Sequence, residues 1–461
     1  MRRKKFLREI DMRRNTVVEL RIEKMKFPLI GVGFHEGKRV EIKGAMIGQL
    51  VEARIGKKRT NRHDAKMIRV IERAENEVDS FCEHFGNCGG CALQTLSYEE
   101  QATQKGLMVK DILTSSHIND FEFKGVIKSP IIYNYRNKME YTFGDEVKDG
   151  PMTLGMHRKG RFNDIVTVDK CHIASEDSNV ILSNTLTFFE NTDIPKYNKH
   201  KHEGFLRHLV VRKATNTGEI LIGLSASTQI DYNFDEYLKM LLNLKLDGEI
   251  VGFLYIKNDG RADMVQGDYD VIYGRDYYTE KLLDLDFKVS FKSFFQTNTL
   301  GAEVLYQTAI SMTEDLKSKT VFDLFSGTGT IGQIISKDAK KVIGVELIED
   351  AVKAAKENAE LNNITNCEFL AGDVFDILDT IKEKPDVIIV DPPRVGIHEK
   401  ALKKIVNYGV DSITYISCNP KSLAENLKTM QDMGYAVKEV VCVDMFPHTP
   451  HVETVVKLQR K

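Results

Sequence analysis

The chain has no run of eighteen or more apolar residues, so nothing in it reads as a membrane-spanning helix. Its N-terminus is basic, with RRKK at 2–5, but it continues into FLREIDMRRN without the apolar stretch of a secretory signal. No internal repeat or low-complexity tract occurs. These absences point away from membrane and exported proteins and predict a globular cytoplasmic one, long enough at 461 residues for two or three domains. Net charge is also nearly absent, at −2, yet it is unevenly placed. Residues 1–74 hold 21 Lys and Arg against 9 Asp and Glu, a net of +12, which leaves −14 for the rest. A basic module joined to an acidic one suits a protein that grips phosphate with one part and does chemistry with another. Cysteine is sparse, with seven in all. In a reducing compartment disulfides are not expected, so a tight cysteine group points to a metal site or to catalysis.

Along the chain the rhythm changes twice. Residues 15–74 carry short alternating runs broken by Gly and polar turns, which predicts a small antiparallel barrel at 1–74. Ser97 with Glu100 three residues on opens a helical stretch, expected within 93–124. Hairpin signals follow, LRHLVVRKA with EILIGLSAS and GFLYIK with RADMVQ, so 75–290 is expected to be mainly β. From about 320 apolar runs alternate with helical patterns: VFDLFS, KVIGVEL, CEFLAGD, DVIIVDPP and ITYISCN. That predicts an α/β, Rossmann-like, doubly wound and mostly parallel sheet in a catalytic domain at 291–461, closed by a final strand pair.

In such sheets ligands sit beyond the carboxyl ends of the strands. There the sequence offers the loop DLFSGTG with Gly327 and Gly329, then Glu346 about twenty residues on, then Gly372 and Asp373. A dinucleotide and S-adenosylmethionine both fit that pattern. The loop has GTGT rather than G-x-G-x-x-G and the fourth strand ends in DPPR, which favours S-adenosylmethionine. Cys418, in ISCNP, ends the fifth strand; Asp391 ends the fourth; Glu453 lies in HVETV. One thiol and one carboxylate, with a polar group to fix the base edge, are what methylation of pyrimidine carbon 5 requires. A thiolate adds to carbon 6, carbon 5 becomes nucleophilic, and a base later removes its proton. The competing chemistry, methylation of a base amino group, uses an aromatic residue at the end of a (D/N)PP(Y/F) motif, where this chain has Arg394. A reading from a different class is an RNA-binding relict of a methyltransferase, against which the intact thiol, carboxylates and glycine loop count. Cys82, Cys88 and Cys91, spaced C-x5-C-x2-C, together with distant Cys171, offer four thiolates that suit zinc or iron–sulfur, the uneven grouping leaning toward a cluster.

From the basic barrel through CEHFGNCGGCALQ, YRNKMEYTF, LRHLVVR, FFQTN, DLFSGTG, DPPR and SCNP to HVETV, the chain resembles the bacterial RNA (uracil-5-)-methyltransferases, in particular the 23S rRNA branch with a TRAM domain and an iron–sulfur cluster. The resemblance implies a class I methyltransferase domain and a TRAM barrel. It implies S-adenosylmethionine contacts at Gln296, Phe325, Gly327, Gly329, Thr330, Glu346, Asp373 and Asp391. It further implies Cys418 as nucleophile, Glu453 as base, and a [4Fe-4S] cluster on Cys82, Cys88, Cys91 and Cys171. The family acts on ribosomal or transfer RNA; barrel and cysteines together resemble the 23S rRNA members, and a monomer without an obligate protein partner is expected. Ser326 and Thr330 depart from the family's usual Cys and Asn. A buried uracil cannot present carbon 6 to a thiolate, so the target base must be flipped or looped out, near Phe291, Phe294, Phe295, Arg136 or Lys138.

Overall fold

The computed structural model describes residues 12–313 and 315–461; the basic RRKK stretch falls outside them. The chain divides into two compact units, one of residues up to Asp79 with Thr95–Ile112, the other of Ser80–Gln94 with Leu113–Lys461.

The first unit is built on strands β1 (Val17–Lys26), β2 (Ile30–His35), β3 (Lys38–Lys43), β4 (Leu50–Lys58) and β5 (His63–Glu72), closed in the order β1-β2-β3-β5-β4. Alternation buries one face of β1, with Val18, Leu20 and Ile22 packed on Val40, Ile42, Val51 and Ile55. Helix α1 (Tyr98–Ser115) is assigned in large part to this unit. Ser97 caps it as expected, its Oγ accepting from the Glu100 N–H at 3.3 Å, while the Glu100 carboxylate turns to Gln104 (2.8 Å).

In the second unit, β6 (Glu122–Ile127) precedes a mainly β region: β7 (Lys138–Gly144), β8 (Thr153–Arg158), β9 (Arg161–Thr167), helix α2 (Glu176–Glu190), β10 (Leu206–Lys213), β11 (Glu219–Ala226), helix α3 (Asp235–Leu242), β12 (Glu249–Lys257) and β13 (Tyr269–Gly274). These strands form one seven-stranded sheet, β13-β12-β11-β10-β7-β8-β9, and the hairpin β14 (Tyr277–Leu282) with β15 (Leu285–Ser290) follows. The β10–β11 hairpin is as expected. RADMVQ is not a strand: the carbonyls of Asn258, Gly260 and Ala262 accept from the buried Arg207 guanidinium instead of from a ladder, and β12 pairs with β13.

The remainder alternates: α4 (Thr299–Met312), β16 (Thr320–Leu324), α5 (Thr330–Ile335), β17 (Lys341–Glu346), α6 (Glu349–Leu361), β18 (Cys367–Ala371), α7 (Val374–Ile377), β19 (Val387–Val390), α8 (Glu399–Asn407), β20 (Ser412–Ser417), α9 (Pro420–Asp432), β21 (Tyr435–Val443) and β22 (Glu453–Arg460). The sheet runs β18-β17-β16-β19-β20-β22-β21-β6. It is parallel from β18 to β20, and β22 runs against both its neighbours. This is the expected doubly wound sheet, with one strand more than the alternation at 320–461 suggests. Strand β6, from the stretch assigned to the central domain, lies parallel to β21 at its edge, because β21 otherwise leaves a row of unpaired backbone groups.

Asn298 ties three parts of this unit together. Its Oδ1 caps α4 by accepting from Gly301 N–H at 2.9 Å, and its Nδ2 donates to Ser129 Oγ (3.1 Å) and the Met445 carbonyl (3.0 Å), all out of solvent. Removing the amide loses a cap and strands buried polar groups. Asn298→Ala is therefore expected to destabilise the protein by about 2–3 kcal/mol in denaturant unfolding, and a loss below about 0.5 kcal/mol would contradict this role.

Candidate active site

The parallel strands bring their carboxyl ends to one edge, where a cavity of about 1540 Å³ opens. Phe325, Ser326, Gly327, Thr328 and Thr330 reach it after β16, Glu346 at the end of β17, Asp373 after β18, Asp391 and Arg394 after β19, and Cys418 after β20. Glu453 arrives from the opposite direction, as the first residue of antiparallel β22. The register pairs Ser417 with Thr454, so Cys418, just after one strand, and Glu453, the first residue of the other, are set side by side.

The loop after β16 turns on a strained backbone. Phe325 is left-handed (φ 64°), a conformation costly to a residue with a side chain, and it lets the Phe325 and Ser326 N–H groups both donate to the Val345 carbonyl (2.9 and 3.0 Å). Glu346 closes the loop, accepting from Gly327 N–H (3.0 Å) and Ile348 N–H (3.0 Å). Gly329 is not on the cavity wall. It precedes α5 with φ 72°, and a Cβ there would meet the Phe369 ring at 2.6 Å, so its smallness serves packing behind the loop. Gln296 lines the cavity, with its carbonyl held by Asn137 Nδ2 at 2.9 Å. Asp373 caps α7 through Phe375 N–H (2.7 Å) while also lining the cavity. Asn419 and Ser422 fix the DPPR turn, both donating to the Arg394 carbonyl (2.9 and 3.1 Å).

Sequence reasoning passed over several wall residues. Tyr306 projects from α4, which carries no motif, and hydrogen-bonds Gln296. Leu347 and Ile348, just beyond Glu346, are large apolar side chains left 60% and 56% exposed at the rim. Phe446, Thr449 and His451 belong to the segment before Glu453. Of the aromatics named near the crevice, Phe294 is 72% exposed and on the wall, Phe295 is buried there, and Phe291 is core.

Asp391 and Glu453 are carboxyls of the cavity wall, and Asp323 is buried within reach of Asp391. Burial pushes Asp323 and Asp391 up to about 7, the Asp323 charge adding to the effect on Asp391. Burial, with Asp391 behind it, lifts Glu453 to about 8. The Cys418 thiol is raised to about 11 by burial, then by Glu453 and Asp391, with Arg394 pulling the other way. A site whose carboxyls are driven neutral for want of a counter-charge favours a cationic ligand.

The four cysteines of the expected metal set line the same cavity. Polar groups converge on their sulfurs: Gly90 N–H on Cys88 (3.3 Å), the Gln94 side chain on Cys91, and the Ile173 and Ala174 N–H groups on Cys171. Burial raises the thiols of Cys88 to about 11 and Cys91 to about 12, and the neighbouring cysteines add to both shifts. Four soft sulfur donors gathered on one cavity wall fit a thiolate-bound metal centre, zinc or iron–sulfur.

The sequence profile described as tRNA (Uracil-5-)-methyltransferase matches residues 97–461. The chain belongs to this methyltransferase family. Over 451 residues it is 50% identical to an uncharacterized RNA methyltransferase of Clostridium acetobutylicum, covering 98% of this chain and 99% of that one. A relative in Caldanaerobacter subterraneus subsp. tengcongensis is 48% identical over 450 residues, covering 97% and 100%. Among solved structures, the Pyrococcus abyssi tRNA (uracil-54, C5)-methyltransferase in complex with S-adenosyl-L-homocysteine superposes with a TM-score of 0.76 at 27% identity, over 95% of this chain and 100% of that one. The methyltransferase thus uses S-adenosylmethionine and acts on RNA, and among its described residues no helix is long and apolar enough to cross a membrane.

The raised carboxyls fix a pH dependence. Ionising Asp391 and Glu453 between about pH 6 and 8.5 should tighten binding of the sulfonium S-adenosylmethionine by about tenfold relative to the uncharged thioether S-adenosylhomocysteine, as read by calorimetry at both pH values. An affinity ratio independent of pH would contradict it. Without ligand the same groups, whose folded values exceed the unfolded value of about 4, stabilise the fold fully below that pH. The contribution is lost as pH rises through 7 to 8.

Proposed function

We propose that this methyltransferase methylates carbon 5 of a specific uridine in 23S rRNA, with Cys418 as nucleophile, Glu453 as base and Asp391 fixing the uracil edge. The observation that carries the reading is that a thiol and two carboxylates from three adjacent strands line one cavity with the glycine-loop residues. Gln296, Phe325, Gly327, Thr330, Glu346 and Asp373 hold the methyl donor, which supplies an electrophilic methyl group, and Gly329 shapes the loop from behind. Cys418 gives up its proton and adds to carbon 6; carbon 5 takes the methyl group. Glu453 then removes the carbon 5 proton, the electrons re-form the 5,6 double bond, and the carbon–sulfur bond breaks. A carboxyl near 8 suits this work, since a general base is most effective near the working pH.

The barrel, as a TRAM domain, grips RNA phosphate through its Lys and Arg excess. Cys82, Cys88, Cys91 and Cys171 hold a [4Fe-4S] cluster that fastens the cysteine loop to the β region. Barrel and cysteines together support 23S rRNA, and the cytoplasm as the place of work. A second reading, transfer RNA, is favoured by the Pyrococcus abyssi relative, which acts on tRNA uracil-54.

Three measurements test these points. Cys418→Ala is expected to lower turnover by at least about 10⁴-fold and to form no protein–RNA adduct, whereas Glu453→Gln should accumulate an adduct that resists denaturation. Turnover by Cys418→Ala at a tenth of the normal rate would end the mechanism. Mapping 5-methyluridine by mass spectrometry in cells lacking the gene should show one mark missing from 23S rRNA; a loss confined to tRNA would favour the second reading. Anaerobically purified protein should contain about four irons and four sulfides per chain, reduced by Cys88→Ser; zinc in their place would refute the cluster.

A further inference from the structure

The segment between β21 and β22 runs from Asp444 to Val452 and ends on Glu453. It is the roof of the cavity, contributing Phe446, Thr449 and His451. Its midpoint is His448, a non-glycine residue with left-handed backbone (φ 67°) and a ring that is 2% exposed. A bulky residue keeps such a conformation only where its surroundings over-determine it.

Those surroundings are the cysteine loop. The His448 carbonyl accepts from two successive N–H groups, Ala92 at 2.9 Å and Leu93 at 3.0 Å. Ala92 directly follows Cys91, and Gln94 sends its side chain back to the Cys91 sulfur. The His448 ring packs at 4.8 Å, edge to face, on Phe81 and is stacked at 5.4 Å on Tyr133; Phe81 and Tyr133 meet at 4.7 Å. Phe81 directly precedes Cys82. Tyr135 OH donates to the Pro447 carbonyl at 3.0 Å from the same side.

We infer that the Phe81–Tyr133–His448 rings and the paired hydrogen bonds to the His448 carbonyl form a clasp through which the cysteine loop positions the Glu453 carboxylate. The inference rests on the reading that Glu453 removes the carbon 5 proton, and it gives the four-thiol centre a task in the reaction. Residues flanking two of the four cysteines, Phe81 before Cys82 and Ala92 after Cys91, are the ones that grip the segment. What orders the sulfurs orders the roof. Tyr133, His448, Ala92 and Leu93 are positioning residues; none of them needs to touch the uracil.

A positioning role differs from a folding role in which step it slows. Tyr133 is 43% exposed, so its truncation need not unfold the protein. Tyr133→Ala is expected to cut kcat about 10- to 100-fold, to leave KM for S-adenosylmethionine unchanged, and to accumulate the same adduct as Glu453→Gln. Tyr133→Phe keeps the ring and should restore wild-type behaviour. In parallel, removing the bound iron from wild-type protein with a chelator should speed hydrogen exchange at 444–452 as well as at 82–94. Wild-type kcat in Tyr133→Ala, a loss with no adduct, or exchange confined to 82–94 would each overturn the clasp. Should Glu453→Gln itself give no adduct, the assignment of the base fails, and the exchange measurement still decides the clasp by itself.

Discussion

Strand β22 runs against its neighbours, and the candidate chemistry depends on that reversal. In a sheet whose strands are otherwise parallel, every loop at the ligand edge leaves a strand, so each contributes a residue from beyond the end of the ladder. A strand of opposite sense begins at that edge, and its first residue is already in the ladder. Glu453 is held in this way, between Val443 on one side and the Ser417–Thr454 pair on the other, with the chain paired continuously from Ser412 to Ser417. Cys418 follows that same pairing by one residue. The thiol and the carboxylate are thus aligned by backbone register, which is more exact than two loops could manage. The extra edge strand, β6, protects the register by satisfying the outer side of β21.

The second constraint is charge. Asp323 and Glu453 lie on strands and Asp391 directly follows one, and burial before any ligand arrives makes each a reluctant anion. Asp323 spends one oxygen on Gly332 N–H (2.9 Å) and thereby fixes the start of α5 beneath the glycine loop. Its charge still reaches Asp391, and that of Asp391 reaches Glu453. The carboxyls behave as a relay of mutual repulsion that a cation relieves. A sulfonium methyl donor brings such a cation; its demethylated product does not.

Much of this was legible in the sequence, because the relevant signals are local. Each apolar run of the doubly wound sheet ends on a residue that reaches the cavity, and strand ends can be counted without knowing the fold. Alternation and charge marked the barrel. Topology-dependent features were not legible. The pairing of β6 with β21 spans more than three hundred residues, and nothing in EFKGVI says which edge it will complete. RADMVQ has the look of a strand, yet Arg207 takes the carbonyl of its Ala262 and that of Gly260 just before it. Gly329 fits a ligand loop by spacing, yet the Phe369 ring behind it needs the room. The cysteines, far from Cys418 in sequence, share its cavity because the turn before β22 folds back on Ala92 and Leu93.

On the proposed reaction the charge of the cavity changes at the step where it matters. With the sulfonium present, Asp391 and Glu453 are pulled toward their ionised forms, and the Cys418 thiol, held up near 11 by burial and then by those carboxylates, is brought down by the same positive charge. Attack on carbon 6 is then easiest. Once the methyl group has moved, the positive charge is gone, and Glu453 faces Asp391 without a counter-ion. Its affinity for a proton rises just when a proton must be taken from carbon 5. The thiolate leaving carbon 6 regains its own high affinity for a proton and can recover it from the neighbouring carboxyl. A single buried electrostatic arrangement therefore favours opposite proton movements before and after methyl transfer, with the transferred charge as the only switch.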